Sequence, residues 1–362
     1  MTDQGTGNSK KVVYIVGAGA TQGEALFKGG EPFNLLMRDN KKLGGEGIAS
    51  RVLKKARLKK KLVIDSEVDI EKLISLLSTT GDKKDMGMAD KLRDLYRKEI
   101  VNGLNKVDIL NKPTLALCLL DMHRNALFDG KVESLSGIIS LNHDNLFQIA
   151  SQEIYNGLNL GFHFRSSDFS EKKGIPLIIQ LHGCFGWLNE HPIKVRKLGL
   201  DDNNSERLLW IPPTILKESK EYPFNKLMGL AYELLLNKCD VLRIIGCSLS
   251  QNDWNLISLI FNTQHKQDSE AGDCFIIELI ISHENGNQVK KDYSYLHNII
   301  PIGHLRDGDF SDYLLQEQYP QDSSELDNPF MYWLNKKVLY HMSRKEIDET
   351  SLCDTLKTLV GV

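Results

Sequence analysis

The chain has 362 residues, of which 41% are hydrophobic and 26% charged, and its formal net charge is -3. That is enough for one large domain or two, with an ample core. The balance excludes a global attraction to nucleic acid or an anionic membrane, and no apolar run reaches the roughly 18 residues that span a bilayer. Met1 to Lys11 is polar and lacks the apolar stretch of a secretory signal, so a flexible N-terminus over residues 1–10 and a cytoplasmic location are expected.

Six cysteines, Cys118, Cys184, Cys239, Cys247, Cys274 and Cys353, form no C-x-x-C pair and mostly sit in apolar runs. They read as small buried thiols in a reducing compartment. A four-cysteine zinc ribbon is not present, and the spacing of His, Cys and carboxylates implies no metal.

Val12 to Val16 is a strand-forming run that enters Gly17-Ala18-Gly19-Ala20-Thr21 with no charge between. This is how a buried parallel strand opens onto a phosphate-binding turn. Gly17 suits backbone angles closed to other residues, and Gly19 suits close approach by a pyrophosphate. A helix starting just after would aim its free N–H groups at the phosphates. The next glycine is Gly23, one residue beyond the usual G-x-G-x-x-G spacing, so a plain strand-to-helix turn is the alternative.

Glu24 to Asn40 reads as loosely helical. A basic run follows: Arg51, Lys54, Lys55, Arg57, Lys59, Lys60 and Lys61. A phosphate patch is one reading, a solvated helix face the favoured one. Val68 to Leu77, Asp85 to Leu104 and Pro113 to Leu127 carry helical periodicity. Residues from about 40 to 135 therefore read as a helical insert in an α/β sheet. Further strands are expected at Gly137 to Leu141, Pro176 to Leu181, Val241 to Ile245, Cys274 to Ile281 and Ile299 to Ile302. Asn189 to Arg207 reads as a polar loop, and Asp253-Trp254 to Phe261 as a helix with Asn252 or Asp253 as its N-cap. Residues 319–362 read as a C-terminal helical segment and a candidate assembly surface, after a main domain over 11–318. The recurring order of strand, polar tip and helix predicts a doubly wound, mostly parallel, Rossmann-like sheet. Ligands of such sheets bind beyond the carboxyl ends of the strands.

Four of those tips carry chemistry: Gly17 to Thr21, Asn142-His143-Asp144, His182-Gly183, and Gly246-Cys247-Ser248-Leu249-Ser250. Together they resemble the sirtuin family. Its Gly-Ala-Gly-x-Ser is similar to Gly17 to Thr21, with Thr21 for Ser. Its Gln-Asn-x-Asp is similar to Leu141 to Asp144, with Leu141 for Gln. Its Leu-His-Gly matches Leu181-His182-Gly183, and its Gly-Thr-Ser-Leu resembles Gly246 to Leu249. The missing zinc ribbon separates the chain from the deacylases. What remains, with the tail Ser250-Gln251-Asn252-Asp253-Trp254, resembles bacterial sirtuin-like domains of antiphage defence, which hydrolyse NAD+.

The resemblance implies an NAD+ glycohydrolase of sirtuin-type fold with NAD+ as substrate and no metal. It implies His182 as general base, Asn142 holding the ribose and the attacking water, and Asp144 holding the nicotinamide carboxamide. Gly17, Ala18, Gly19, Ala20 and Thr21 would cradle the pyrophosphate, and Gly246, Ser248 and Leu249 would meet a phosphate or the adenosine ribose. It also implies a homo-oligomer and a HerA-type hexameric ATPase partner, with no membrane or direct nucleic-acid role. His143 reads as incidental. The alternatives are an NAD or ADP-ribose sensor without catalysis, and a protein deacylase.

Overall fold

The computed structural model describes residues 9–28, 33–43, 45–56, 69–107, 113–124, 133–198, 207–214, 221–249, 253–270, 276–281, 289, 291–293, 296, 299–301, 330 and 333–334. In chain order the elements are β1 (Lys10–Val16), α1 (Ala18–Lys28), α2 (Ile48–Lys55), α3 (Ile70–Thr79), α4 (Lys83–Lys106), α5 (Thr114–Arg124), β2 (Glu133–Ser140), α6 (Leu146–Tyr155), β3 (Phe164–Arg165), β4 (Leu177–Gln180), β5 (Gly183–Leu188), β6 (Ile193–Val195), β7 (Leu208–Trp210), α7 (Phe224–Asn237), β8 (Val241–Ile245), α8 (Trp254–Glu270), β9 (Ile276–Ile280) and β10 (Ile299–Pro301).

The main sheet is six-stranded, in the order β10-β9-β8-β1-β2-β4, and every pairing in it is parallel. Counting only its own strands along the chain, the order is that of the doubly wound dinucleotide-binding sheet, reversing between β1 and β8. Val12 to Val16 are completely buried, as expected of a central strand covered on both faces. Helices α1, α5 and α6 pack together on one side, and α7 and α8 form a second pair. Glu24 on α1 is buried and its Oε1 accepts the Ala116 N–H at 2.6 Å, which caps the start of α5 with a carboxylate.

The segment after β4 departs from expectation. Its strands join β3 in a second, four-stranded sheet in the order β3-β6-β5-β7, and one of them, β6, lies within the expected polar loop Asn189 to Arg207. The strand β6 inside the expected loop is three residues long, too short to show an alternating pattern. Helices α2, α3 and α4 pack on this small sheet through a separate apolar cluster that includes Ile48, Val52, Ile74, Leu92, Phe185 and Leu208. Asp69 and Asp82 cap α3 and α4 with their side chains. Of the basic run, Arg51 and Lys55 reach Glu99 and Lys54 reaches Glu46, so the described part is an ion-paired helix. Arg57, Lys59, Lys60 and Lys61 lie outside the described residues.

Two more boundaries move. Helix α1 starts at Ala18, so Gly19 to Thr21 belong to its first turn rather than to a loop. Helix α8 runs on past Phe261 to Glu270. In the C-terminal segment the described residues Phe330, Trp333 and Leu334 are buried in the main core, and the rest of it lies outside the described residues. No helix among the described residues is long and apolar enough to cross a membrane.

Candidate functional site

The tips of β1 and β8 interlock. Gly17 N–H donates to the Ile245 carbonyl at 2.9 Å, and Gly19 N–H donates to the Gly246 carbonyl at 2.8 Å. A Cβ on Gly19 would lie 2.7 Å from the Gly246 Cα, and one on Gly246 would lie 2.2 Å from the Ala20 nitrogen. Gly246 also has φ +59, a conformation other residues rarely adopt. These glycines are thus required by backbone meeting backbone. The contact with Gly246 is a requirement on Gly19 that local sequence does not reveal. Gly17 is likewise needed for space rather than for an unusual turn, since its Cβ would meet Cys247 at 2.8 Å.

Ala18 is exposed at the mouth of this junction, at the N-terminal end of α1. Ala20 and Thr21 are buried. Beyond β8, Ser248 is exposed, whereas Leu249 is buried with φ +50 and its carbonyl accepts the Tyr293 hydroxyl. Ser250 to Asn252 lie outside the described residues.

The tip of β2 is tied to the first turn of α1. The Asn142 amide donates to the Gly17 carbonyl and to Thr21 Oγ1, both at 2.9 Å. Thr21 Oγ1 in turn donates to Asp144 Oδ2 at 2.6 Å, and Asp144 Oδ1 accepts the Leu146 N–H at 3.2 Å. Both amide hydrogens of Asn142 are thereby committed, so its Oδ1 is the atom it can offer a ligand. Burial pushes the Asp144 carboxyl above its usual range, against the lowering effect of the Thr21 and Leu146 bonds. The tip is further fixed by Gln180 on β4, whose amide donates to the Asp144 carbonyl.

His182 stands where the chain leaves the main sheet for the small one. Gly183 makes that turn possible: its φ is +73 and a Cβ there would lie 2.4 Å from the Leu209 carbonyl. His182 Nδ1 lies 3.2 Å from the Leu141 carbonyl, so it carries the proton and donates. Nε2 lies 3.5 Å from Asp253 Oδ1, and the two side chains are 10% and 7% exposed. The carbonyl of Leu141, which precedes Asn142 in the chain, thus holds the His182 ring.

Aromatic rings wall this histidine. His143 stacks on Phe185 at 4.9 Å between centroids, with Trp210 edge-on at 5.2 Å. Tyr96, brought by α4, stacks on Trp210 at 6.3 Å. Burial, with Glu71 and Asp253 nearby, pushes the Tyr96 phenol above its usual range and keeps it protonated. His143 packs in this wall at 6.2 Å from the His182 ring.

The structure thus gathers Gly17, Thr21, Asn142, Asp144, His182 and Gly246 at one end of the main sheet. Sequence reasoning missed Asp253 as a neighbour of His182, having read it as a helix cap. The signal was present, because an acid follows the fourth tip within a few residues. Tyr96 and Trp210 gave no such signal, since only the packing of the helical insert on the small sheet brings them in.

No protein-family model matches the chain, and no curated protein matches it. Among solved structures, it is similar to two mutants of a Sir2 homologue, each bound to ADP-ribose. One shares 13% identity at a TM-score of 0.42, the other 14% at 0.43, each over 95% of this chain and 96% of that one. Likeness at this level carries no chemistry, so the site is read from its own residues.

Proposed function

We propose that this chain is a sirtuin-like NAD+ glycohydrolase, which cleaves the bond between nicotinamide and ribose to give nicotinamide and ADP-ribose. The observation that supports it is the joining of three strand tips: Asn142 is bonded to Gly17, whose turn opens at the switch point of a dinucleotide-type sheet, and His182 is held by the carbonyl of the adjoining Leu141. Asn142 presents an acceptor, and His182 presents Nε2 with its other nitrogen tied to the Leu141 carbonyl. Breaking the bond builds positive, oxocarbenium-like charge on the sugar, while nicotinamide leaves as a neutral group. Such a reaction needs the ribose placed and a proton taken from water or a ribose hydroxyl, and little acid. Acceptors turned towards the sugar also favour the cationic transition state. At the start of α1 the Gly19 and Ala20 N–H groups are given to the Gly246 and Gly17 carbonyls, so the exposed Ala18 is the position there that would meet the pyrophosphate. The resemblance of the four tips extends the reading to an antiphage effector that depletes NAD+, working as a homo-oligomer beside a HerA-type ATPase.

The test is free nicotinamide, followed after NAD+ is added to the purified protein with and without the hexameric ATPase. His182→Ala and Asn142→Ala should each lower release by about 10²–10⁴-fold while leaving the melting profile intact. Release only with the ATPase makes the chain one half of a complex. Saturable NAD+ binding without release under any condition refutes catalysis and leaves a sensor.

A further inference from the structure

The ladder between β2 and β4 ends at the pair Ser140 and Gln180. Beyond it, the successive carbonyls of Leu141, Asn142, His143 and Asp144 all turn to one stretch of chain, Gln180 to Phe185. His182 Nδ1 lies 3.2 Å from the Leu141 carbonyl, and the Phe185 N–H donates to the His143 carbonyl at 2.9 Å. Gln180 serves the other two. Its Nε2 donates to the Asp144 carbonyl and lies 3.5 Å from the Asn142 carbonyl. An amide nitrogen has two hydrogens, enough for both. The far end of the side chain is held as well, because Gln180 Oε1 accepts the Gln148 amide from α6. Both glutamines are buried, at 2% and 0% exposure. With Oε1 fixed by Gln148, Nε2 is aimed at the tip.

We propose that Gln180 is a positioning residue: its side chain continues the β2–β4 pairing past the last ladder position and so sets Asn142 and Asp144 against His182. This rests on the NAD+ reading above. The residues of the site come from different strand tips, so no local chain geometry fixes their spacing. A group that spans the tips must do it, and Gln180 stands two residues before His182 while bonding the tip that carries Asn142. Its bonds act on the backbone of that tip. The Asn142 side chain is anchored separately, by the Gly17 carbonyl and Thr21 Oγ1. Held from β4 at its carbonyl and from α1 at its amide, Asn142 has little freedom to move its Oδ1. A buried Gln180 acts on the reaction only through these neighbours, and a shift of about 1 Å in a positioned group can cost about 10²-fold in rate. The titratable groups around it are Asp144, His143, His182 and Cys184. Burial pushes the Asp144 carboxyl and the Cys184 thiol up, so the thiol stays protonated.

The experiment follows nicotinamide release by Gln180→Met and Gln180→Glu, each alone and combined with Asn142→Ala, per molecule shown to be folded by its melting profile. Gln180→Met keeps the length of the side chain and loses the donor. It should slow release by about 10- to 10²-fold alone but by under about threefold beside Asn142→Ala, because residues that act as a unit are not additive. Gln180→Glu keeps the shape. As a carboxylic acid it still accepts from Gln148 and donates to the Asp144 carbonyl, and as a carboxylate it cannot donate. Its deficit should be smaller than that of Gln180→Met and should shrink as pH falls. Dividing by the parent's rate at each pH removes the titration of the neighbouring groups. Should Gln180→Met not fold, the pH series of Gln180→Glu decides. If Gln180→Met costs the same factor in both backgrounds, or Gln180→Glu is as slow as Gln180→Met at every pH, the inference falls, while release that His182→Ala abolishes keeps the glycohydrolase reading. If the parent releases no nicotinamide, that reading falls, and calorimetric NAD+ binding by the same variants decides the inference. A loss of affinity on Gln180→Met that vanishes beside Asn142→Ala would uphold it. An equal loss in both backgrounds, no loss, or no binding by the parent would overturn it.

Discussion

Two buried polar networks cross the same central strands and have opposite characters. Inside the sheet, Arg243 on β8 donates to Glu133 on β2 at 2.7 and 2.9 Å, to Glu278 on β9 at 2.6 Å, and to the Tyr14 hydroxyl on β1 at 3.1 Å. Tyr14 bonds His123 on α5 at 2.8 Å, and Trp333 lies over the guanidinium at 5.5 Å. Burial opposes the Arg243 charge, but Glu278, Tyr14 and Glu133 outweigh it and hold its pKa well above the usual value. Burial, helped by Arg243, pushes His123 well below its usual range and keeps it neutral. Every charge here has its partner. At the strand tips, by contrast, Asp144 is held by hydrogen bonds from Thr21 and Leu146, with no cation beside it among the described residues. The interior network pairs charge with charge and serves stability. The tip network instead holds a buried carboxyl by hydrogen bonds alone and leaves Asn142 Oδ1 as an acceptor for a ligand.

The comparison breaks most visibly at Arg243. Arg243→Met leaves the buried Glu133 and the half-buried Glu278 without their cation, and should cost about 3–5 kcal/mol. Chemical denaturation would show it as a lower midpoint. Nicotinamide release per folded molecule should stay near the parent's, because Arg243 touches none of the tips. Adding Glu133→Gln should recover part of the loss. Equal losses of stability and of specific activity would show that the two networks are one.

A smaller effect is expected at Glu99, where a carboxylate is paired with cations that can still reach water. Burial raises the Glu99 pKa, but hydrogen bonds from Lys55 and Arg51 outweigh it, and the net shift is downward. A lowered folded pKa means stability that is present above the unfolded pKa of 4.5 and lost as pH falls through the folded value. Glu99→Gln should therefore cost about 2 kcal/mol at pH 7, and the gap to the parent should close on acidification. A gap independent of pH would mean that the pairing with Arg51 and Lys55 contributes nothing.

The two networks were not equally legible in the sequence. The tips were legible because each is local: an apolar strand followed at once by Gly, Asn, Asp or His. The sheet's topology followed from the same repeats. The Arg243 network was not, since its members lie 35, 110 and 229 residues from Arg243 and meet only once the strand register is set. Glu278 stood visibly on a strand without a partner that local spacing could name. The small sheet was hidden for a related reason: its pairings are short and join β3, β5, β6 and β7 out of chain order. At the first tip the residues were found but the reason for two of them was not, because the closeness of Gly19 to Gly246 belongs to the packed backbone.

Thr21 separates position from charge within the tip network. Its hydroxyl accepts from Asn142 and donates to Asp144, so it couples the residue that would hold the ribose to the buried carboxyl. Thr21→Val keeps the shape of the side chain but removes both bonds. Asn142 keeps Gly17 as its anchor, and Asp144 keeps the Leu146 N–H, so the fold should lose only about 1 kcal/mol. The carboxyl, however, loses one of the bonds that oppose its burial, and its pKa should rise further above the usual range. A looser Asn142 beside a more readily protonated Asp144 should lower nicotinamide release by about tenfold, out of proportion to the lost stability. Thr21→Ser restores the hydroxyl and should restore the rate. If Val and Ser behave alike, the relay from Gly17 to Asp144 is packing only, and Asn142 is positioned by the Gly17 carbonyl alone.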